Sequence, residues 1–231
     1  MKSAYPILLK GLKRLEYRGY DSAGIALVND KSLNLYKKKG KVAELENFAT
    51  DKNTGGNIGI GHTRWATHGV PSDENAHPHL SGDSTLCIIH NGIIENYAVL
   101  KNELVKRGHV FLSETDTEVL IHFIEEIRKN ENVDLFEAVR IALNEVHGAY
   151  AIVIIDQNNP DQLIAAKKSS PLVIGIGEGG EYFIASDATP IVEYTKNVVY
   201  LEDEEIAVVD SKNGLKIKNI KNQDKTPTRQ E

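Results

Sequence analysis

Apolar residues recur at Ile7, Leu8, Leu12 and Leu15, and Gly19 follows; that spacing predicts an amphipathic helix near the start of the chain, with no strand before it. SAGIALVN (22–29), SLNLYK (32–37), NIGIGH (57–62) and DSTLCIIH (83–90) read as strands. The last is apolar on both faces and is therefore expected in the core. Leu100 and Leu104 before Gly108 predict a second helix. Val119, Leu120, Phe123, Ile124 and Ile127 predict a third, and Leu135, Val139, Leu143 and Val146 a fourth ending at Gly148. AYAIVIID, QLIAAKK, PLVIGIG, EYFIASD, VVYLE and EIAVVD then follow as short strands separated by turn residues, which reads as a meander. Strands, helices and strands again point to an α+β domain with sheets layered on helices. From Asp210 the chain turns polar and lysine-rich. The expectation is one domain over residues 1–209 and a linker or frayed tail over 210–231.

Composition narrows the classes of function. With 231 residues and 41% hydrophobic content the chain can bury one sizeable core without disulfides or metal. A formal charge of −6, with acids and bases interspersed, offers no cationic face for phosphate backbones, so no nucleic acid partner is expected. Cys87 is the single cysteine, which excludes an internal disulfide framework and fits the cytoplasm. Apolar runs such as Ala151 to Ile155 fall far short of the roughly 20 residues of a membrane-spanning helix. The first residues carry no secretory or transit pattern.

Several segments concentrate chemistry. LEYRGYDSAG (15–24) crowds two aromatics, Arg18 and two glycines into the passage from helix to strand, either a tight structural turn or part of a site. HTRWATHG (62–69) packs Arg64, Trp65, Thr63, Thr67 and two histidines into one loop. Arg64 offers a planar fork for a carboxylate, although Trp65 alone would also plug a core gap. Five of the eight histidines (His62, His68, His77, His79 and His90) fall in one stretch, yet no HExxH or paired CxxC is present. No metal is expected, and His77 and His79 are read as bonding backbone carbonyls in a stiff loop. HNGIIEN (90–96) follows the apolar strand: Asn91-Gly92 is either a hairpin turn or a pair of donors, side-chain amide and backbone N–H, aimed at an oxyanion. SETDTEV (113–119) contains a capping box of Thr115 and Glu118, leaving Asp116 either to complement the helix dipole or to hold a ligand ammonium.

Taken in order, LEYRGYDSAG, HTRWATHG, NAHPH, HNGIIEN, SETDTEV, HGAYAIVI and SPLVIG resemble the glutaminase domain of the glucosamine-6-phosphate synthases over nearly the whole chain. The resemblance implies an N-terminal-nucleophile hydrolase fold, a four-layer αββα sandwich with two antiparallel sheets. It also implies a mechanism in which an N-terminal cysteine attacks the carboxamide of L-glutamine, with its own α-amine as general base. Carried over by motif, Arg64 would clamp the substrate carboxylate and Asp116 its ammonium, while Thr67 and His68 line the pocket. Asn91 and Gly92 would form the oxyanion hole, Trp65 would sit where ammonia leaves, and Arg18 would brace the loop near the nucleophile. No cofactor is implied. The implied partner is an isomerase domain acting on sugar phosphate, in a homodimeric enzyme that converts fructose-6-phosphate to glucosamine-6-phosphate.

The resemblance also implies a first strand opening in Cys-Gly, which is missing here: the sequence starts Met1, Lys2, Ser3. Cys87, between Leu86 and Ile88 in a core strand, is expected to be inert. The chain is therefore read as a glutaminase domain, inactive for want of its nucleophile. The alternatives are a non-catalytic glutamine-binding or regulatory module and a metal-dependent hydrolase built on the histidines.

Overall fold

A computed structural model describes residues 2–30 and 32–230. Helix α1 (Ala4–Leu15) is followed by a 3-10 turn at Glu16–Arg18 and by the hairpin β1 (Ser22–Asn29) and β2 (Ser32–Lys39). After α2 (Val42–Ala49) come β3 (Ile58–Arg64), the two-residue β4 (His79–Leu80) and β5 (Leu86–Ile94). Three helices succeed them: α3 (Tyr97–Lys106), α4 (Asp116–Asn130) and α5 (Leu135–Glu145). The remainder is β6 (Gly148–Asp156), β7 (Asn159–Lys168), β8 (Val173–Ile176), β9 (Tyr182–Ala185), β10 (Val198–Tyr200), β11 (Glu205–Asp210), β12 (Gly214–Asn219), β13 (Asp224–Lys225) and β14 (Arg229–Gln230).

The strands form a seven-stranded sheet ordered β13-β12-β11-β7-β6-β5-β4, a three-stranded sheet β2-β1-β3 and a four-stranded sheet β14-β10-β8-β9, all antiparallel within themselves. Period-two alternation sorts their side chains into layers. From the large sheet Ile88, Ile152, Ile154, Ile164, Ala166 and Ile206 face α4 and α5, meeting Leu120, Ile121, Ile124, Val139 and Leu143. Their neighbours Cys87, Ala151, Val153, Ile155, Ala165 and Ala207 face the other way, onto Ala26, Val28 and Ile60 of the small sheet and Ile174 and Val199 of the four-stranded one. The opposite face of β1, with Ile25 and Leu27, is covered by Leu9 and Leu12 of α1 and Val42 and Leu45 of α2. Helices, a split sheet, a continuous sheet and helices thus stack as the expected α+β αββα sandwich. Among the described residues no strand pairs with the outer edge of β3 or of β9.

Three expectations are corrected and one helix is added. The strands after α5 are no meander: β6, β7 and β11 share the large sheet, while β8, β9 and β10 leave it to build the four-stranded one. Residues beyond Asp210 are no frayed tail, because β12 pairs along β11 from Glu205↔Asn219 to Asp210↔Gly214 and buries Ile217. Helix α2 carries no predicted counterpart; it is short and forms against β1. Finally, β5 does not end at His90. It runs on to Ile94, paired with β6 through Asn91↔Ala151 and Gly92↔Tyr150, so Asn91-Gly92 is not a hairpin turn.

Candidate active site

One cavity of about 690 Å³ opens along β3 and β9 and at the end of β5. Arg18, Arg64, Trp65, Thr67, His68, Asn91, Gly92 and Asp116, the residues singled out from the sequence, all line it. They are delivered by the turn after α1, the end of β3 and its following loop, β5 and the first residue of α4.

Strand alternation explains the Asn91-Gly92 geometry. Glu95 N donates to His147 O, toward the β6 side, whereas Ile94 N donates to Asp116 Oδ2 at 2.8 Å. Residues 92 and 94 share a backbone direction, so the Gly92 N–H also points to the open edge of β5, away from β6. Gly92 has φ of 131°, and a Cβ there would lie 2.1 Å from Ala149 O. Only glycine fits. The Asn91 amide is held by its oxygen, which His62 Nε2 reaches at 2.8 Å. Burial pushes the His62 pKa down to about 4, the Asn91 contact opposing, so near neutral pH the ring is uncharged and donates its Nε2–H to Asn91 Oδ1. That leaves the Asn91 Nδ2 protons free to act beside the Gly92 N–H.

Charge is balanced across the cavity. Arg64 is buried; its Nη2 donates to His68 O and, at 3.0 Å, to Gly69 O. Its Nη1 is buried without a hydrogen-bond partner among the described residues, a donor ready for an acceptor from outside the protein. Asp116 is buried at the start of α4, with Oδ2 on Ile94 N and Oδ1 3.9 Å from His68 Nδ1. The capping box is only half made: Thr115 Oγ1 accepts from Glu118 N at 3.2 Å, but the Glu118 carboxylate accepts from Leu112 N and Ser113 N rather than Thr115 N. Capping therefore does not involve Asp116, which lines the cavity.

The surrounding residues are less enclosed. His68 stacks edge-on to Tyr97 at 4.9 Å, and Thr67 is exposed at the rim. Trp65 is 60% exposed and packs edge-on to Tyr20 at 5.6 Å, so it is no core plug. Arg18 is exposed, with Nη1 3.7 Å from Asp187 Oδ2. His79 Nε2 meets Thr115 Oγ1 at 3.1 Å and the ring also bonds the Asn75 backbone, the carbonyl role expected, whereas His77 stacks on His62 at 4.4 Å with its Nδ1 unpartnered. Two residues were not singled out from sequence. Asp21 holds the loop by accepting from Ala66 N, and His90 joins β5 to α4 through Thr117 Oγ1 at 2.9 Å. Asp21 sits inside LEYRGYDSAG, so the signal was present, but its partner lies 45 residues on. Cys87 is fully buried between the sheets, and burial pushes its thiol up to about 12, where no thiolate forms at neutral pH.

The layered arrangement is shared with solved amidotransferases. The glutamine phosphoribosylpyrophosphate amidotransferase of B. subtilis, complexed with ADP and GMP, superposes with a TM-score of 0.80 at 28% identity, over 95% of this chain and 47% of that one. The fold class is that of the N-terminal-nucleophile amidotransferases. A family model described as "Glutamine amidotransferase domain" matches residues 62–193, and the chain belongs to that family. It is similar to the glutamine–fructose-6-phosphate aminotransferase (isomerizing) of Bacteroides thetaiotaomicron, with 63% identity over 98% of this chain. For that of Chlorobaculum tepidum the identity is 54% over 96%. The chain spans 37% and 36% of the length of those two relatives. No helix among the described residues is long and apolar enough to cross a membrane.

Proposed function

We propose that the chain is the glutamine-binding domain of an aminotransferase that takes ammonia from L-glutamine and passes it to fructose-6-phosphate, giving glucosamine-6-phosphate. The observation that carries this reading is that the unpartnered Arg64 Nη1 and the buried Asp116 carboxylate line one cavity, a cation and an anion suited to the two charged groups of a free amino acid. Arg64 takes the α-carboxylate and Asp116 the α-ammonium. Thr67 and His68 line the pocket around the side chain. The carboxamide carbon then lies before Asn91 Nδ2 and Gly92 N–H, which stabilise the oxyanion of the tetrahedral intermediate. Trp65 lies on the ammonia exit, and Arg18 braces the neighbouring loop through Asp187. An isomerase domain, in a homodimeric enzyme, is the proposed acceptor of the ammonia.

The nucleophile is a cysteine thiol from an extended segment lying between the open edges of β3 and β9, which both line the cavity. Its sulfur bonds to the carboxamide carbon while its proton passes through the α-amine to the departing ammonia. Water then cleaves the thioester to glutamate. Cys87 cannot serve, so these 231 residues alone are proposed to bind glutamine without turnover; the same burial supports the second reading, a glutamine-binding module. Calorimetry with L-glutamine and a glutamate-release assay on the 231-residue chain test both parts. Saturable binding without release is expected, weakened at least tenfold in Arg64→Lys, whose single point charge loses the fork. Steady release would overturn the assignment of the nucleophile, and absence of binding would overturn the site.

A further inference from the structure

A second set of donors lies away from the glutamine cavity, where α4 meets the loop that precedes it. His122 and Glu125 are three residues apart on α4 and share one face. His109, just past the end of α3, turns its Nδ1 to the Nδ1 of His122 at 3.0 Å. Each ring directs its other nitrogen at a carboxylate: His109 Nε2 lies 2.9 Å from Glu126 Oε2, and His122 Nε2 lies 3.9 Å from Glu118 Oε1. One ligand atom from each of His109, His122 and Glu125 lies within 4.8 Å of the other two. The side chains of His122 and Glu125 are each 3% exposed, and that of His109 is 11% exposed.

The geometry points to a binding site for a divalent transition metal of the zinc class, held by Nδ1 of His109, Nδ1 of His122 and a carboxylate oxygen of Glu125. The two Nδ1 atoms face one another while each Nε2 is directed at a carboxylate, so both inward nitrogens are placed to ligate one ion with their outer nitrogens held by Glu126 and Glu118.

Two nitrogens about 2.0–2.1 Å from a tetrahedral ion stand roughly 3.3 Å apart, so the facing pair needs to open by only a few tenths of an ångström. A carboxylate on the far nitrogen is the feature that fixes tautomer and orientation in ligating histidines. Glu125 is already oriented by Gly82 N at 2.8 Å and Asp83 N at 2.9 Å; Lys129 Nζ at 2.7 Å from Oε1 opposes a cation there and favours Oε2 as the donor. Water completes the coordination. No metal was expected from the sequence, which showed histidines clustered only around His77 and His79; His109, His122 and Glu125 are brought together by the packing of α4. The ion would clamp the His109 loop to the helix whose first residue is Asp116.

Chelator-stripped protein titrated with zinc chloride against a chromophoric competitor tests the site. One equivalent per chain is expected, with a rise in Tm of about 5 °C or more at saturation. His109→Asn should reduce affinity at least tenfold. Glu126→Gln, which reaches the ion only through His109, should weaken it by roughly 10- to 100-fold while leaving the circular dichroism unchanged, and it serves if His109→Asn does not fold. The exposed His147, changed to Asn, should have no effect. Absence of stoichiometric binding, or binding unchanged in Glu126→Gln and His109→Asn, overturns the assignment. Glutamine binding is read separately and should survive Glu126→Gln.

Discussion

Gly92 combines a backbone conformation that side chains resist with a contact that leaves no room for one. A methyl group there would meet Ala149 O at 2.1 Å, on a residue whose φ is 131°. Gly92→Ala is therefore expected to lose on the order of 2–4 kcal/mol of stability, read as a lower urea midpoint with the slope unchanged. An unchanged midpoint would mean that β6 yields easily. The Asn-Gly pair was visible in the sequence, but its role was not. Glycine's tolerance of positive φ serves a hairpin turn and an open strand edge equally, and only pairing with Tyr150 and Ala151 on β6 excludes the turn. The reverse holds for Arg64, whose residue type already specified a carboxylate fork. His62 escaped notice as an orienting group because its partner, Asn91, lies on another strand.

Helix α4 shows how an element joins stability to the site. Thr115 caps it and also meets Ser113 Oγ at 3.0 Å and His79 Nε2 at 3.1 Å. Thr115→Ala is expected to cost about 1–2 kcal/mol, with most of it retained in Thr115→Ser; chemical denaturation of both variants checks this. Equal losses in the two would assign the effect to the methyl group instead of the cap. The 3.6-residue pattern of this helix was legible because Leu120, Ile121, Ile124 and Ile127 make one continuous buried face. Helix α2 was not, since its eight residues give little more than two turns and an isolated helix of that length is marginal in water. In β12 the pattern was present but masked: Lys216 and Lys218 flank the buried Ile217, and lysine content read as a tail what alternation would have read as an edge-side strand.

At the scale of the whole molecule, burying several uncharged histidines between strands and helices ties stability to pH. Burial pushes His62 to about 4 and holds His77 and His79 well below their usual value, against roughly 6.5 in an unfolded chain. Between those values the unfolded chain binds more protons, so stability is complete above about pH 6.5 and falls as pH drops toward 4. His62 alone would account for on the order of 3 kcal/mol by the acid end, so Tm should be level from pH 7 to 8 and lower by roughly 5–10 °C at pH 4.5. A level profile down to pH 4.5 would show that these rings are charged in the folded state or reached by water. The two- and three-to-four-residue periods fixed which side chains turn inward, because burial of apolar surface depends on spacing that any strand or helix imposes. They gave an α+β domain of sheets layered on helices, while the αββα sandwich and the eight residues that line the cavity were implied by the resemblance the motifs carry. What the tertiary structure alone decided was partnership. Whether Asn91-Gly92 turns or donates and whether Asp116 caps or lines the ligand cavity both depend on atoms far away in the chain. Hydrogen bonds, desolvation and charge act through space and carry no mark in local sequence.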